Sequence, residues 1–355
     1  MNVVLFVVGL VLLVAGASLL VRGASRLALS LGVSPLVVGL TIVAFGTSAP
    51  ELAVSVGAAL DDRVDIAVGN VVGSNIFNVL FILGLSALIA PLVVHTQLIR
   101  QEVPVMIGAS LLLLALGLDG ALGLIDAALL LGLLLAYTVF LIVQSRRQTQ
   151  ADAEEYAEAL EPRSQWDRHW AVQIALVLGG LVLLVIGSDW LVTAAVAFAR
   201  ALGVSDLVIG LTIVAAGTSM PEVATSIVAA IKGERDIAVG NVVGSNTFNI
   251  LGVLGLTGLV AGDGLPLAPA VLNFDLWVML VVAFACLPVF LTGREIARWE
   301  GGVFIGYYVA YTAYLILASQ QHELLPRFSQ VMLGFVIPLT IVTLIVMLLR
   351  RPAPR

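Results

Sequence analysis

Apolar residues in this chain neither alternate with polar ones nor form the narrow stripe of a surface helix. They fall in long runs interrupted by single charges, prolines and glycine clusters. Eleven runs, at about 2–21, 33–60, 65–90, 102–118, 121–144, 170–190, 204–231, 236–261, 271–292, 302–318 and 329–349, approach or exceed the roughly 20 residues with which a helix crosses hydrocarbon. Barrel strands would alternate in polarity, and only helices and closed barrels satisfy their backbone groups in lipid. The pattern predicts an all-α, polytopic membrane protein with eleven transmembrane helices in a lipid bilayer.

The runs contain a repeat. Residues 34–85 and 205–256 align without gaps at a shift of 171, with 35 identities in 52 positions. SPLVVGLTIVAFGTSAPE matches SDLVIGLTIVAAGTSMPE, and DIAVGNVVGSNIFN matches DIAVGNVVGSNTFN. Five predicted spans separate equivalent positions. That number is odd, so the two copies enter the membrane from opposite sides. Secondary transporters built this way place their sites at the repeat interface near the midplane. The expected units are an inverted five-helix repeat over 1–145, a cytoplasmic linker over 146–169, a second five-helix repeat over 170–318, and an extra helix with tail over 319–355. The linker is the one long polar stretch, and it reads as a solvated segment with space for a short surface helix.

Composition and charge narrow the class. The chain is 60% hydrophobic and 11% charged, against about a quarter charged in soluble domains. It carries a net charge of −6 and no basic tract, so nucleic acid is not an expected partner. Its single cysteine, Cys286, excludes an intrachain disulfide and argues against a thiolate metal centre. The start, MNVVLFVVG, lacks the positive flank and cleavage site of a leader and reads as a retained first helix. With the N-terminus outside, 14 of the 17 Lys and Arg residues fall on the cytoplasmic side, leaving Arg63, Arg200 and Arg327 outside. The positive-inside rule therefore predicts a cell (inner) membrane protein with its N-terminus outside and its C-terminus cytoplasmic. Nothing points to a protein partner.

The chemistry lies in the repeated motifs. Glu51 is the only charge between Leu27 and Leu60, and Glu222 is its copy. An ionisable residue at a helix centre costs about 2.5–3.5 kcal/mol on insertion scales, and such residues mark ion pathways. Pro50 and Pro221 lack an N–H, so the carbonyls of Gly46 and Gly217 lose their helical donors, and Ala49 and Met220 are pushed from helical geometry. Carbonyls, hydroxyls and carboxylates together suit a hard cation such as Ca²⁺ or Na⁺, and no His or Cys nearby invites zinc or copper. In the partner motif, Ser74 and Asn78 share one helix face, as do Ser245 and Asn249. Gly69 with Gly73, and Gly240 with Gly244, permit close helix packing. Asn70, Asn75, Asn241 and Asn246 read as packing and interhelical hydrogen bonds. Asp65 and Asp236 read first as N-caps and second as attractors of cations at a vestibule, and Asp61 and Asp62 as a solvated loop.

These four motifs, GTSAPE with GNVVGSNIFN and GTSMPE with GNVVGSNTFN, resemble the two alpha repeats of the sodium/calcium exchanger branch of the cation/calcium exchanger superfamily, of prokaryotic type. The resemblance covers about 1–318 in layout. It implies a ten-helix core in which helices 2, 3, 7 and 8 enclose the ions and helices 1 and 6 move over a fixed core. By position, it makes Glu51 and Glu222 the principal carboxylate ligands. Thr47, Ser48, Thr218 and Ser219 would give carbonyl or hydroxyl oxygens, Ala44 and Ala215 carbonyls, and Ser74 and Ser245 hydroxyls; Asn78 and Asn249 take the remaining polar positions. Several relatives carry Asp where this chain has Asn249, so this site has two carboxylates rather than three. The implied activity is antiport of Ca²⁺ against Na⁺ by alternating access, with the transported ions as the only bound species and no cofactor. Two readings compete on the same residues: a Ca²⁺/H⁺ antiporter and a cation channel. An enzyme is not expected. HExxH and GxSxG are absent, and His95, His169 and His322 lie at predicted helix ends or in loops.

Overall fold

The computed structural model describes residues 2–159, 169–202, 213 and 215–349, the side chains of 147–159, 215 and 348 excepted. Among the described residues, nine helices are long and apolar enough to cross a membrane, or ten with one bent pair counted as a span. The chain is an all-helical, integral membrane protein. Its helices are α1 (Asn2–Leu31), the bent pair α2 (Pro35–Thr47) and α3 (Ala49–Leu60), α4 (Val64–Ile89), α5 (Leu98–Asp119), α6 (Leu124–Ala159), α7 (Trp170–Ala201), α8 (Met220–Ile231), α9 (Arg235–Ala261), α10 (Val271–Leu291), α11 (Arg298–Ser319) and α12 (Leu325–Met347). The predicted span 204–231 lies partly outside the described residues. Its described parts are the short turn Ala215–Gly217 and α8.

Three predicted boundaries move. Helix α1 continues ten residues past Val21, because Arg22 and Arg26 end the apolar run without interrupting backbone hydrogen bonding. Helix α7 likewise passes Asp189 and reaches Ala201. Helix α6 runs on to Ala159, so the first part of the expected linker continues the fifth helix.

The repeat is visible well beyond the aligned block. Helices α1 and α7 cross antiparallel through glycines. A Cβ on Gly16 would stand 2.8 Å from the Gly180 carbonyl oxygen, and one on Gly9 would stand 2.9 Å from that of Gly187. Without a hydrophobic driving force between helices in lipid, such small-residue contact is what lets backbones approach. Two short antiparallel pairings join the copies reciprocally: β1 (Leu92–Val93) with β4 (Glu295–Ile296), and β2 (Ala121–Leu122) with β3 (Leu265–Pro266). π-Helical turns recur at Asn78–Leu83 and Asn249–Leu254, and at Leu98–Glu102 and Val271–Asp275. The last of these turns end on carboxylates that accept from tyrosines in equivalent helices, Tyr137 to Glu102 and Tyr311 to Asp275. The fifth helix of each repeat packs on the other repeat, α6 on α9 and α11 on α4. Helix α9 is buried along its whole apolar window, whereas no residue in the apolar window of α12 is buried.

Candidate cation site

The break in the bent pair falls at Ser48, with φ −81° and ψ 7°; its copy Ser219 has φ −87° and ψ 9°. This is one residue earlier than the sequence suggests. Ala49 and Met220 are helical, each the first residue of the following helix, and the prolines sit second. The first turn of a helix has no intrahelical use for its N–H groups, so a proline costs nothing there. The two segments of the first copy meet at 43°.

Each break delivers a serine to the opposite carboxylate. Ser48 Oγ donates to Glu222 Oε1 at 3.0 Å, and Ser219 Oγ donates to Glu51 Oε1 at 2.7 Å. Thr47 Oγ1 reaches Asn241 Oδ1 at 3.1 Å, and Thr218 Oγ1 reaches Asn70 Oδ1 at 3.4 Å. These two pairs of contacts mirror each other, the signature of a two-fold relation between the copies. Glu51 and Glu222 are both 0% exposed. Ser219 Oγ also contacts Ser74 Oγ at 3.2 Å. Asn78 donates to Asn246 and Asn249 to Asn75, across the same axis.

Five of the oxygens left without a partner belong to the predicted ligand set. Glu51 Oε2, Glu222 Oε2, Asn78 Oδ1, Asn249 Oδ1 and Ser245 Oγ are buried and have no hydrogen-bond partner. Buried polar atoms are paired in the great majority of cases, and these five are electron-pair donors left without an acceptor. All five are oxygens, as a hard cation requires. Among the described residues no group of three or more His, Cys, Asp or Glu stands together. Cys286 is buried in α10 and its thiol turns to the Val282 carbonyl.

The other predicted positions are placed as follows. The Ala44 carbonyl is engaged, accepting from Ser48 N at 3.0 Å and from Thr47 Oγ1 at 3.4 Å. Ala215 is placed only as the start of its short helical turn. The Gly217 carbonyl, expected to be free, accepts from Ser188 Oγ of α7 at 2.7 Å; the equivalent residue on α1 is Ala17, which has no hydroxyl. Asp65 and Asp236 are not N-caps. They sit in the first turns of α4 and α9, with Arg63 and Glu234 at the cap positions, where a carboxylate favours the helix dipole. Asp61 and Asp62 are exposed. Gly244 fits the close-packing expectation, with the Leu40 backbone at 2.7 Å from an added Cβ. The equivalent partners of Gly69 and Gly73 fall largely outside the described residues.

The supporting residues were legible in part. Asn70 Nδ2 donates to the Glu51 carbonyl at 3.2 Å and to Ser55 Oγ at 3.1 Å, and Asn241 Nδ2 donates to Ser226 Oγ at 3.0 Å. Ser55 and Ser226 stand four residues after the glutamates, on the same helix face, and that repeated spacing was the available signal. Access differs between the two ends. Asn70 and Thr218 are half-buried, whereas Thr47 and Asn241 are fully buried. At the buried end α1 packs along α8, and Lys232 Nζ donates to the Ser18 carbonyl at 3.2 Å. Burial pushes the Lys232 ammonium down from its ordinary value and the neighbouring Glu234 carboxyl up.

Comparison with known proteins agrees with this architecture. The family model described as "Sodium/calcium exchanger protein" matches residues 1–143 and 172–317. The chain is 41% identical over 298 residues to the putative antiporter CaxA of Alkalimonas amylolytica, covering 82% of this chain and 91% of that one. It is 34% identical over 346 residues to the sodium/calcium exchanger MaX1 of Methanosarcina acetivorans, covering 89% and 98%. A solved structure of the sodium-calcium exchanger NCX_Mj, soaked with zero Na⁺ and Ca²⁺, superposes with a TM-score of 0.75 at 31% identity, covering 88% of this chain and 98% of the other.

Proposed function

We propose that this chain, which belongs to the sodium/calcium exchanger protein family, exchanges Ca²⁺ for Na⁺ by alternating access at the Glu51–Glu222 site. The observation that carries this reading is a set of five buried, unpartnered oxygens, one from each of two carboxylates that the opposite copies hold in place and three from Asn78, Asn249 and Ser245. Two carboxylates balance one Ca²⁺, so the loaded site is nearly neutral. Empty, it would hold two anions in a poor dielectric, where their repulsion is strong. Rearranging the empty site is therefore disfavoured, which couples the two fluxes. Glu51, Glu222, Asn78, Asn249 and Ser245 would hold the cation through the orphan atoms. Ser48 and Ser219 would orient the carboxylates, and Ser74, Thr47 and Thr218 would support them.

Sodium is favoured over the proton as counter-ion by the neutral oxygens. A proton needs one carboxylate oxygen, whereas a metal ion needs several donors, and two amide oxygens and a hydroxyl stand ready. The name of MaX1 is of the same kind. With the N-terminus outside, as the Lys and Arg distribution predicts, the half-buried Asn70–Thr218 end faces outward and the closed end faces the cytoplasm. The division into repeats at 1–145 and 170–318 belongs to the same reading. Calcium uptake into vesicles decides the counter-ion. Uptake driven by an imposed sodium gradient and indifferent to a pH gradient is expected, and the reverse pattern would make the protein a Ca²⁺/H⁺ antiporter.

A further inference from the structure

Four asparagines at the contact of α4 and α9 form a cluster across the two-fold axis, in which Asn75 and Asn246 close a reciprocal pair and Asn249 and Asn78 are each bound to one member of it. Asn75 Nδ2 donates to the Asn246 backbone carbonyl at 3.2 Å, and Asn246 Nδ2 donates to the Asn75 backbone carbonyl at 3.2 Å. A second N–H of Asn75 reaches Met279 Sδ at 3.6 Å. Asn249 Nδ2 then donates to Asn75 Oδ1 at 3.1 Å, and Asn78 Nδ2 donates to Asn246 Oδ1 at 2.9 Å. All four side chains are buried.

The chemistry of these contacts fixes every amide. A backbone carbonyl can only accept, so it must meet the NH₂ end of Asn75 and of Asn246. The Oδ1 atoms of those two residues are then the acceptors left inside the cluster. Only an NH₂ end can meet them, which turns the NH₂ of Asn249 and Asn78 inward. Their own Oδ1 atoms are thereby turned out of the cluster, and these are two of the buried oxygens without a partner.

We propose that Asn75 and Asn246 are positioning residues, each locking the amide of the other copy's site asparagine so that its Oδ1, and not its NH₂, is presented to the transported cation. The inference rests on the cation-site reading above. An unlocked amide is free to rotate and offer a donor that repels a cation. Aspartate is immune to that failure, because its two oxygens are equivalent.

This immunity gives the test, a double-mutant cycle read by calorimetric Ca²⁺ binding to the full purified chain. With Asn at 249, Asn75→Ala is expected to weaken binding about tenfold, a coupling ordinary for side chains in one hydrogen-bond network. In an Asn249→Asp background the same substitution is expected to cost less than about twofold. A loss that is at least threefold greater in the Asn249 background supports the positioning role. A smaller difference overturns it, since a merely structural Asn75 weakens both backgrounds alike. If Asn75→Ala does not yield a monodisperse protein, the mirror cycle, Asn246→Ala with Asn78→Asp, carries the same expectation and the same threshold. Glu51→Gln separates the two levels. Retained Ca²⁺ binding in that variant removes the cation-site reading itself, whereas lost binding together with equal costs in the cycle overturns the positioning role alone.

Discussion

Glu51 and Glu222 occupy equivalent positions in copies that share 35 of 52 residues, yet their surroundings are not equivalent. Around Glu51, Ser219 bridges to Ser74, and Asn70 reaches both the Glu51 carbonyl and Ser55. Around Glu222, Ser48 makes the matching bond, but Ser245 Oγ stays unpartnered and Asn241 Nδ2 donates to Ser226 and not to the Glu222 carbonyl. The Asn70–Thr218 end is half-buried and the Thr47–Asn241 end is sealed. The named site residues are the same in both copies and do not account for this. The difference comes from outside the motifs. At the sealed end α1 lies along α8 with Lys232 on the Ser18 carbonyl, while at the other end Asp61, Asp62 and Arg63 are exposed. Two near-identical half-sites therefore stand in unlike environments within one structure.

The comparison can be broken or sharpened in steps. The largest effect is expected from Glu51→Gln or Glu222→Gln, either of which should reduce Ca²⁺ exchange in proteoliposomes to the rate of protein-free vesicles while the protein remains inserted and monodisperse. Equal loss from the two sides would mean that the half-sites, however different their surroundings, serve one ion.

Next come the serines. Each gives a carboxylate a charge-assisted hydrogen bond, a contact of about 1.5–3 kcal/mol, and each loss should raise the Ca²⁺ concentration for half-maximal exchange by roughly tenfold. Ser219→Ala is expected to exceed Ser48→Ala, since it also releases Ser74. The opposite order would show that the asymmetry of the two networks has no energetic content.

A smaller, purely structural signal is expected in hydrogen exchange. Amides of 64–77 should exchange faster than those of 235–248, because only the first segment borders the half-open end. Equal protection would remove the distinction between the two ends. The smallest effect is expected at Thr225, whose hydroxyl is buried without a partner and whose counterpart in the first copy is Val54. Thr225→Val should leave exchange intact and stability unchanged or raised by about 1 kcal/mol. A thermal unfolding scan beside the transport assay checks both.

Much of this was legible in the residues. Membrane helices follow from uninterrupted apolar runs, the inverted repeat from the shift of 171 and an odd span count, and the carboxylates from charges with no other reason to lie in lipid. The sequence did not reveal where helices stop, since Arg22 and Asp189 interrupt apolar runs without ending their helices. It also misplaced the helix break, because Pro50 and Pro221 are tolerated inside the first turn and the chain turns at Ser48 and Ser219 instead. The asparagine cluster was out of reach for a different reason. Its bonds join positions 171 residues apart or nearly so, and no local pattern says which end of an amide faces which partner.

The central claim is that the two acids form one site. Calorimetric titration of Ca²⁺ into the purified chain, its two single Glu→Gln variants and the double variant tests this most directly. The account predicts one Ca²⁺ per wild-type chain and losses in either single variant as complete as in the double, the non-additivity of groups that act as a unit. A single variant that still binds one Ca²⁺ with near wild-type affinity would contradict it.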